Sequence, residues 1–209
     1  MSGRPLIRLG ITGGIGSGKS TFAAMLQQAG GAALVDADHI ARSLTLPGGA
    51  AMAAIGAQFG PDFIDASGAL DRARMRELAF ADAGARSRLE AILHPLVGQA
   101  MAAAEQDALA ADQRLLLLDI PLLTESPRWP RQLAAVLVVD CPETTQIARV
   151  QARNGLDEAA IRAIMATQSS RQQRRAAADW VVFNEDLTLS QLQELAGQVS
   201  RQVVARFGL

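Results

Sequence analysis

The sequence predicts an α/β protein built on a parallel sheet covered on both faces. Three observations carry that expectation. Short apolar runs recur along the chain, and most are continuous rather than alternating, as strands buried on both faces require. Segments with helical spacing lie between them, so strand and helix alternate. The first apolar run ends in a glycine cluster followed at once by a helix-forming stretch, the opening of a βαβ unit.

In chain order, Leu6–Thr12 reads as the first strand, Gly13-Gly14-Ile15-Gly16-Ser17-Gly18 as a loop, and Lys19–Gln28 as a helix stopped by Gly30-Gly31. Ala32–Val35 is a second strand, ending in Asp36-Ala37-Asp38. From about Ile40 to Leu109 the character changes to a helical insertion, with a loop at Pro47-Gly48-Gly49 and breaks at Gly60-Pro61 and Ser67-Gly68. Helical spacing covers Arg72–Phe80 and Arg86–Leu93. His94-Pro95 is expected to interrupt before a further helix near Leu96–Leu109, since a proline removes a backbone donor. Leu115–Ile120 and Val136–Asp140 are strands, each with an acidic residue and then a proline at its end. Pro142–Arg153 and Asp157–Arg175 are arginine-rich helices parted by Asn154-Gly155. Trp180–Phe183 is a last strand, and Leu189–Phe207 a closing amphipathic helix.

At 209 residues and 49% hydrophobic content, the chain fits one compact domain or one core with inserted sub-domains. Twenty basic residues against 21 acidic ones leave a net charge of -1, which argues against a protein whose main task is gripping duplex DNA. With Cys141 as its one cysteine, no intramolecular disulfide can form, which fits a reducing compartment. The longest apolar stretches fall far short of the ~20 residues that span a bilayer. The first residues carry no signal-peptide pattern, so a cytoplasmic protein without a membrane partner is expected. Nineteen of the basic residues are arginine, and the single lysine is Lys19.

That lysine falls inside Gly13-x-x-x-x-Gly18-Lys19-Ser20, a full match to the G-x-x-x-x-G-K-[ST] pattern, placed between strand and helix as the pattern requires. Glycines allow φ > 0 and a close approach of backbone to phosphate, and successive N–H groups at a helix N-terminus form an anion nest. Lys19 is expected on the β- and γ-phosphates, the Ser20 hydroxyl on Mg²⁺, and Thr21 near the α-phosphate. The rival G-x-G-x-x-G pattern fails, because its last position from Gly14 is Lys19. The loop therefore predicts a nucleoside triphosphate site, Gly14–Thr21, with Mg²⁺ as cofactor.

Asp36 and Asp38 follow the second strand's carboxyl end, where open α/β sheets place ligands. If the chain stays extended, both side chains point the same way; one would take a proton from an attacking hydroxyl and the other hold the acceptor. The plainer reading of either is an N-cap for the next helix. Asp119, at the end of Leu115-Leu116-Leu117-Leu118, is either a Mg²⁺-organising group or a strand-terminal polar residue. His94 is either an acceptor contact or a structural hydrogen-bonding group. Arg149 and Arg153 share a helix face, and Arg171, Arg174 and Arg175 form a second cluster. These suit a lid over phosphates, or a solvated basic face.

Gly10–Thr21, Val35-Asp36-Ala37-Asp38-x-x-Ala41-Arg42, Leu93-His94-Pro95, Asp119-Ile120-Pro121-Leu122-Leu123-x-Glu125, Val138-Val139-Asp140, Arg149 to Arg153, Gln168, Ala178-Asp179 and Asn184 together resemble the dephospho-CoA kinase family. The resemblance spans about residues 6 to 185. It implies a P-loop NTP hydrolase/kinase fold: a five-stranded parallel sheet between helices, with a helical acceptor-binding insertion and a helical lid. The implied boundaries are 1–40, 111–141 and 176–209 for the nucleotide-binding core, 41–110 for the acceptor domain and 142–175 for the lid. The implied reaction is MgATP-dependent phosphorylation of the ribose 3′-hydroxyl of dephospho-CoA, the last step of coenzyme A synthesis, by a monomer or small homo-oligomer. By motif position, Asp38 is the general base, with Asp36 in support. Lys19 and Arg149 steady the phosphoryl group, and His94, Pro121, Leu122 and Leu123 shape the acceptor cleft. Two departures stand out: Thr124 replaces a frequent aromatic, and Asn184-Glu185 lacks a glycine common nearby.

Two other readings compete with that one. The phosphate loop also suits a different small-molecule kinase, such as one acting on a nucleoside monophosphate, or an ATP-dependent switch. A GTPase would need a second lysine for its guanine-reading N-K-x-D motif, and the chain has none.

Overall fold

Strands that are apolar on both faces need helices on both sides. In the computed structural model, which describes residues 6–120, 122–126 and 132–209, five such strands form one parallel sheet. They are β1 (Ile7–Gly13), β2 (Ala33–Asp36), β3 (Leu115–Asp119), β4 (Ala135–Asp140) and β5 (Trp180–Phe183), in the order β2-β3-β1-β4-β5. Register sets Ile11 of β1 beside Asp119 of β3 and Leu137 of β4, and Asp36 of β2 beside Asp119. The chain leaves β1 toward one edge and β4 toward the other. The crevice beyond their carboxyl ends is where open α/β sheets bind ligands.

Two compact units make up the chain, one holding the sheet and interrupted between Asp36 and Asp107, the other Ala37–Gln106. In the sheet unit, α1 (Lys19–Gly30) and α9 (Leu189–Phe207) cover one face, packing Phe22, Leu26, Leu192 and Val199 against Leu9, Ile11, Leu117 and Leu137. A smaller cluster of Ile147, Val150 and Ile161 joins α6 (Glu143–Asn154) to α7 (Glu158–Ala166), with Ile15 of the glycine loop packed against it. The helical unit comprises α2 (Ala37–Ser43), α3 (Met52–Phe59), a 3₁₀ turn at Pro61–Phe63, α4 (Arg72–Ala81) and the first part of α5 (Ala83–Ala110), around Met52, Ile55, Leu70 and Met75. Among the described residues, no helix is long and apolar enough to cross a membrane.

Three elements differ from the expectation. Pro95 does not interrupt: α5 runs unbroken for 28 residues. An interior proline costs about 3 kcal/mol in helix propensity, but Leu89, Ile92, Leu93 and Leu96 on either side of it all pack on the helical unit's core. Helix α2 begins at Ala37, directly after β2, so Asp38 lies in its first turn and the extended-chain alignment of Asp36 with Asp38 does not hold. The expected helix over Asp157–Arg175 is split into α7 and α8 (Arg171–Ala176). Ser170 starts α8 with a capping box to Gln173, a local signal that outweighs helical continuity.

Leu137 sits at the sheet's centre and is fully buried. Leu137→Ala should lower the unfolding free energy by about 2–5 kcal/mol, read as a reduced midpoint in urea with the slope unchanged.

Candidate active site

The glycine loop leaves β1 at Gly13 and enters α1 at Lys19, with Gly16 at φ 75° and Gly18 at φ 87°. Left-handed backbone at these two positions lets consecutive N–H groups turn the same way at the positive end of α1. Side chains from distant parts of the chain hold the loop. Asn184, following β5, donates from Nδ2 to the Ser17 carbonyl at 2.8 Å, and Arg149 of α6 approaches the same oxygen at 3.5 Å. The Ile15 N–H donates to Gln168 Oε1 at 3.0 Å. A Cβ on Gly14 would lie 2.6 Å from Gln146 Oε1 and 2.8 Å from an Arg174 guanidinium nitrogen, so a larger residue there would require both side-chain ends to shift. Gln146 itself donates to the Cys141 carbonyl at 3.0 Å, while its Oε1 and the Ser17 hydroxyl are buried and have no hydrogen-bond partner among the described residues.

Inside the loop, Lys19 forms an ion pair with Asp119, whose carboxylate is buried at the end of β3. Asp36 stands level with Asp119 on the neighbouring strand. Ser20 and Thr21 are exposed on the first turn of α1. On the other side, Asp140 at the end of β4 is 2% exposed and takes a bidentate pair of bonds from Arg171, at 2.7 and 2.8 Å, with Arg175 at 3.4 Å. The bond to Asp140 raises the Arg171 guanidinium above the usual arginine range. Arg174 is buried and donates to the Ser169 carbonyl; burial pushes its guanidinium below that range. Burial likewise pushes the Cys141 thiol up, so it stays protonated at neutral pH.

The structure thus gathers Gly14–Thr21, Asp36, Arg149, Leu122 and Leu123 in the sheet unit, and puts Asp38 and His94, both exposed, in the helical unit. Leu122 is half-exposed. Leu123 is buried, its Cδ1 within 2.6 Å of where a Cβ on Gly10 would lie. Pro121 lies outside the described residues. The arginine cluster of α8 divides, with Arg171 and Arg175 on Asp140 and Arg174 inside. Gln146 had no sequence signal, and Gln168 and Asn184 were visible only as landmarks, because each acts across more than 130 residues of chain.

The family model described as CoaE, dephospho-CoA kinase, matches residues 7–189. The dephospho-CoA kinase of Albidiferax ferrireducens is 53% identical over 208 residues, covering 99% of this chain and 95% of that one. The chain belongs to the dephospho-CoA kinase family. Its relative of that name from Burkholderia pseudomallei is 47% identical over 195 residues, covering 93% of each chain. Among solved structures, TT1252 from Thermus thermophilus is 32% identical with a TM-score of 0.79, covering 95% of this chain and 98% of that one. The dephospho-CoA kinase from Campylobacter jejuni, 21% identical with a TM-score of 0.67 over 94% and 96% of the two chains, shares the fold. Membership of the dephospho-CoA kinase family makes the chain an ATP-dependent phosphotransferase on a P-loop kinase fold.

A methyl group on Gly16 would meet the Gln146 carbonyl oxygen at 2.5 Å in a backbone conformation unsuited to L side chains. Gly16→Ala should therefore cost about 1–3 kcal/mol of stability and weaken ATP binding at least tenfold, checked by thermal melting and titration calorimetry.

Proposed function

We propose that the chain transfers the γ-phosphoryl group of MgATP to the ribose 3′-hydroxyl of dephospho-CoA, giving CoA and ADP, the last step of coenzyme A synthesis. The observation that carries this reading is the dephospho-CoA kinase match over residues 7–189, which takes in the glycine loop, Asp36 at the end of β2 and Asp38 in α2. Asp38 takes the proton of the attacking hydroxyl, and Asp36 holds the acceptor beside it. Lys19 exchanges its bond to Asp119 for the β- and γ-phosphates as ATP enters, and Arg149 offsets charge on the transferring group. His94, Leu122 and Leu123 border the acceptor, and Pro121 joins them in this reading. The helical unit carries the acceptor, and residues 142–175 cover the nucleotide.

The donor set suits a magnesium ion carried in by the nucleotide. Among the described residues no group of three or more His, Cys, Asp or Glu could hold a metal by itself, while the Ser20 hydroxyl is exposed at the loop's helical end. The Ser20 hydroxyl would hold a Mg²⁺ carried by the nucleotide, which would supply charge neutralisation for the phosphates. We place the reaction in the cytoplasm, carried out by a monomer or small homo-oligomer on two small-molecule substrates.

The test is ADP release from MgATP by purified protein, with dephospho-CoA, a panel of nucleoside monophosphates, or no acceptor. ADP formed only with dephospho-CoA, and a product of coenzyme A mass, is the expected result; ADP formed with a monophosphate overturns the acceptor. Under the same assay, Asp38→Asn should lower kcat by about 10²–10⁴-fold with ATP affinity nearly intact. Unchanged turnover would remove Asp38 from the base role. Lys19→Arg should also be nearly inactive, because a planar guanidinium does not fit the place of a compact ammonium.

A further inference from the structure

Gln168 occupies the short turn between α7 and α8, and that turn is fixed from several directions. The Gln168 N–H donates to the Met165 carbonyl, the Ser169 N–H to Glu125, and Arg174 donates to the Ser169 carbonyl. Ser170 caps α8, and Arg171 ties that helix to Asp140. The side chain is then fixed at one end only. Because Ile15 presents an N–H, the carboxamide atom facing it must be the oxygen, which assigns the other end as the NH₂ group. That Nε2 makes no hydrogen bond among the described residues and is not buried. Amide geometry keeps it within about 5 Å of the Ile15 nitrogen.

The position matters because of what this stretch of loop borders. In the kinase reading the helical end, Gly18–Thr21, faces the phosphates nearest the nucleoside. Residues on the strand side, Gly14–Gly16, therefore lie toward the terminal phosphate. A carboxamide anchored there by its oxygen presents two donors to the group being transferred, with its orientation set before substrate arrives.

We propose that Gln168 is a catalytic residue: with Oε1 held by the Ile15 N–H, its Nε2 donates to an oxygen of the transferring γ-phosphoryl group. The inference rests on the kinase reading above. In the transfer, the acceptor oxygen forms its bond to the γ-phosphorus as the bond to the β,γ-bridging oxygen breaks, and the hydroxyl proton goes to Asp38. Gln168 gives and receives no proton; its hydrogen bonds strengthen as charge spreads over the equatorial oxygens.

Two substitutions in the full chain separate this role from mere bracing of the loop. Gln168→Leu removes both the acceptor and the donors, whereas Gln168→Glu keeps an acceptor for Ile15 and removes the donors. Steady-state kinetics at saturating MgATP and dephospho-CoA, thermal midpoints, and calorimetric affinity for ADP, which has no γ-phosphate, are compared with wild type. The expected result is a kcat lowered by about 10²–10³-fold in both variants, with the thermal midpoint unchanged in Gln168→Glu, which keeps the bond to Ile15, and with kcat in Gln168→Leu falling further than its ADP affinity. A Gln168→Glu enzyme within about threefold of wild-type kcat overturns the proposal, since the acceptor alone would then suffice. So does a Gln168→Leu protein that loses ADP affinity in step with kcat/KM while kcat holds. Wild-type protein that ignores dephospho-CoA would instead defeat the acceptor assignment. The three proteins are then compared by ADP release from MgATP with the acceptor in use or with water, where the same loss in both variants supports the donor role and an unaffected Gln168→Glu overturns it.

Discussion

A loop that binds phosphate through its main-chain N–H groups must not satisfy those groups itself, so it forgoes much of the hydrogen bonding that ordinarily holds a loop in shape. Here one turn bond, from the Ser17 N–H to the Gly14 carbonyl at 3.0 Å, lies within the loop, and the other restraints come from outside it. Asn184 holds the Ser17 carbonyl, Gln168 holds the Ile15 N–H, and the Ile15 side chain is packed on Ile147, Val150 and Ile161. Gln146 and Arg174 close on Gly14, and the Gln146 backbone on Gly16. Both the β4-β5 half of the sheet and helices α6 to α8 converge on this one segment. The buried Gln146 Oε1 and Ser17 hydroxyl, unpartnered among the described residues, fit a wall shaped to the loop at some cost in hydrogen bonding.

The electrostatics inside the loop follow from the same constraint. A cationic Lys19 facing an anion site needs a counter-charge when no phosphate is there, and β3 delivers one by ending in a buried carboxylate. Parallel register makes this automatic, since Asp119 pairs with Ile11, two residues before the loop begins. Asp140 does the equivalent on β4, where it fixes α8 through Arg171 and so holds the turn that carries Gln168. Two strand-terminal aspartates thus have opposite duties. In the mechanism proposed above one is a partner to be exchanged for phosphate, while the other anchors α8.

Legibility in the sequence tracks the range of the interaction. Each of the five strands was visible as an apolar run, and the glycine loop as a complete local pattern. Helix α9 is legible from end to end because its amphipathic spacing is local; the structure adds a Thr188 capping box at its start. Pro95 misled, because the packing that carries α5 through it comes from residues outside the local pattern, on α3 and α4. The sequence leaves Asp36 and Asp38 open to an extended pairing or to capping the next helix, because nothing local shows that a helix starts on the intervening alanine. Gln146 was illegible for a stronger reason. Its role depends on lying against Gly14, a contact that exists only once β1 and β4 are neighbours.

Net charge says little about how such a protein holds two polyanionic substrates. The chain is at -1, and much of its cationic surface is already committed: Arg171 and Arg175 to Asp140, Arg206 to Asp179, and Arg174 to the interior. What remains for phosphate is set by position rather than number. Lys19 shows why. Its side chain is mostly enclosed, between a carboxylate at the end of β3 and the loop's inner face, where a compact ammonium can pass from one anion to the other without rebuilding the wall. A guanidinium would bind Asp119 in a bidentate fork, gaining hold on the carboxylate at the expense of the exchange that catalysis needs. In a chain that uses arginine at 19 of its 20 basic positions, the proposed exchange gives a reason for the single lysine.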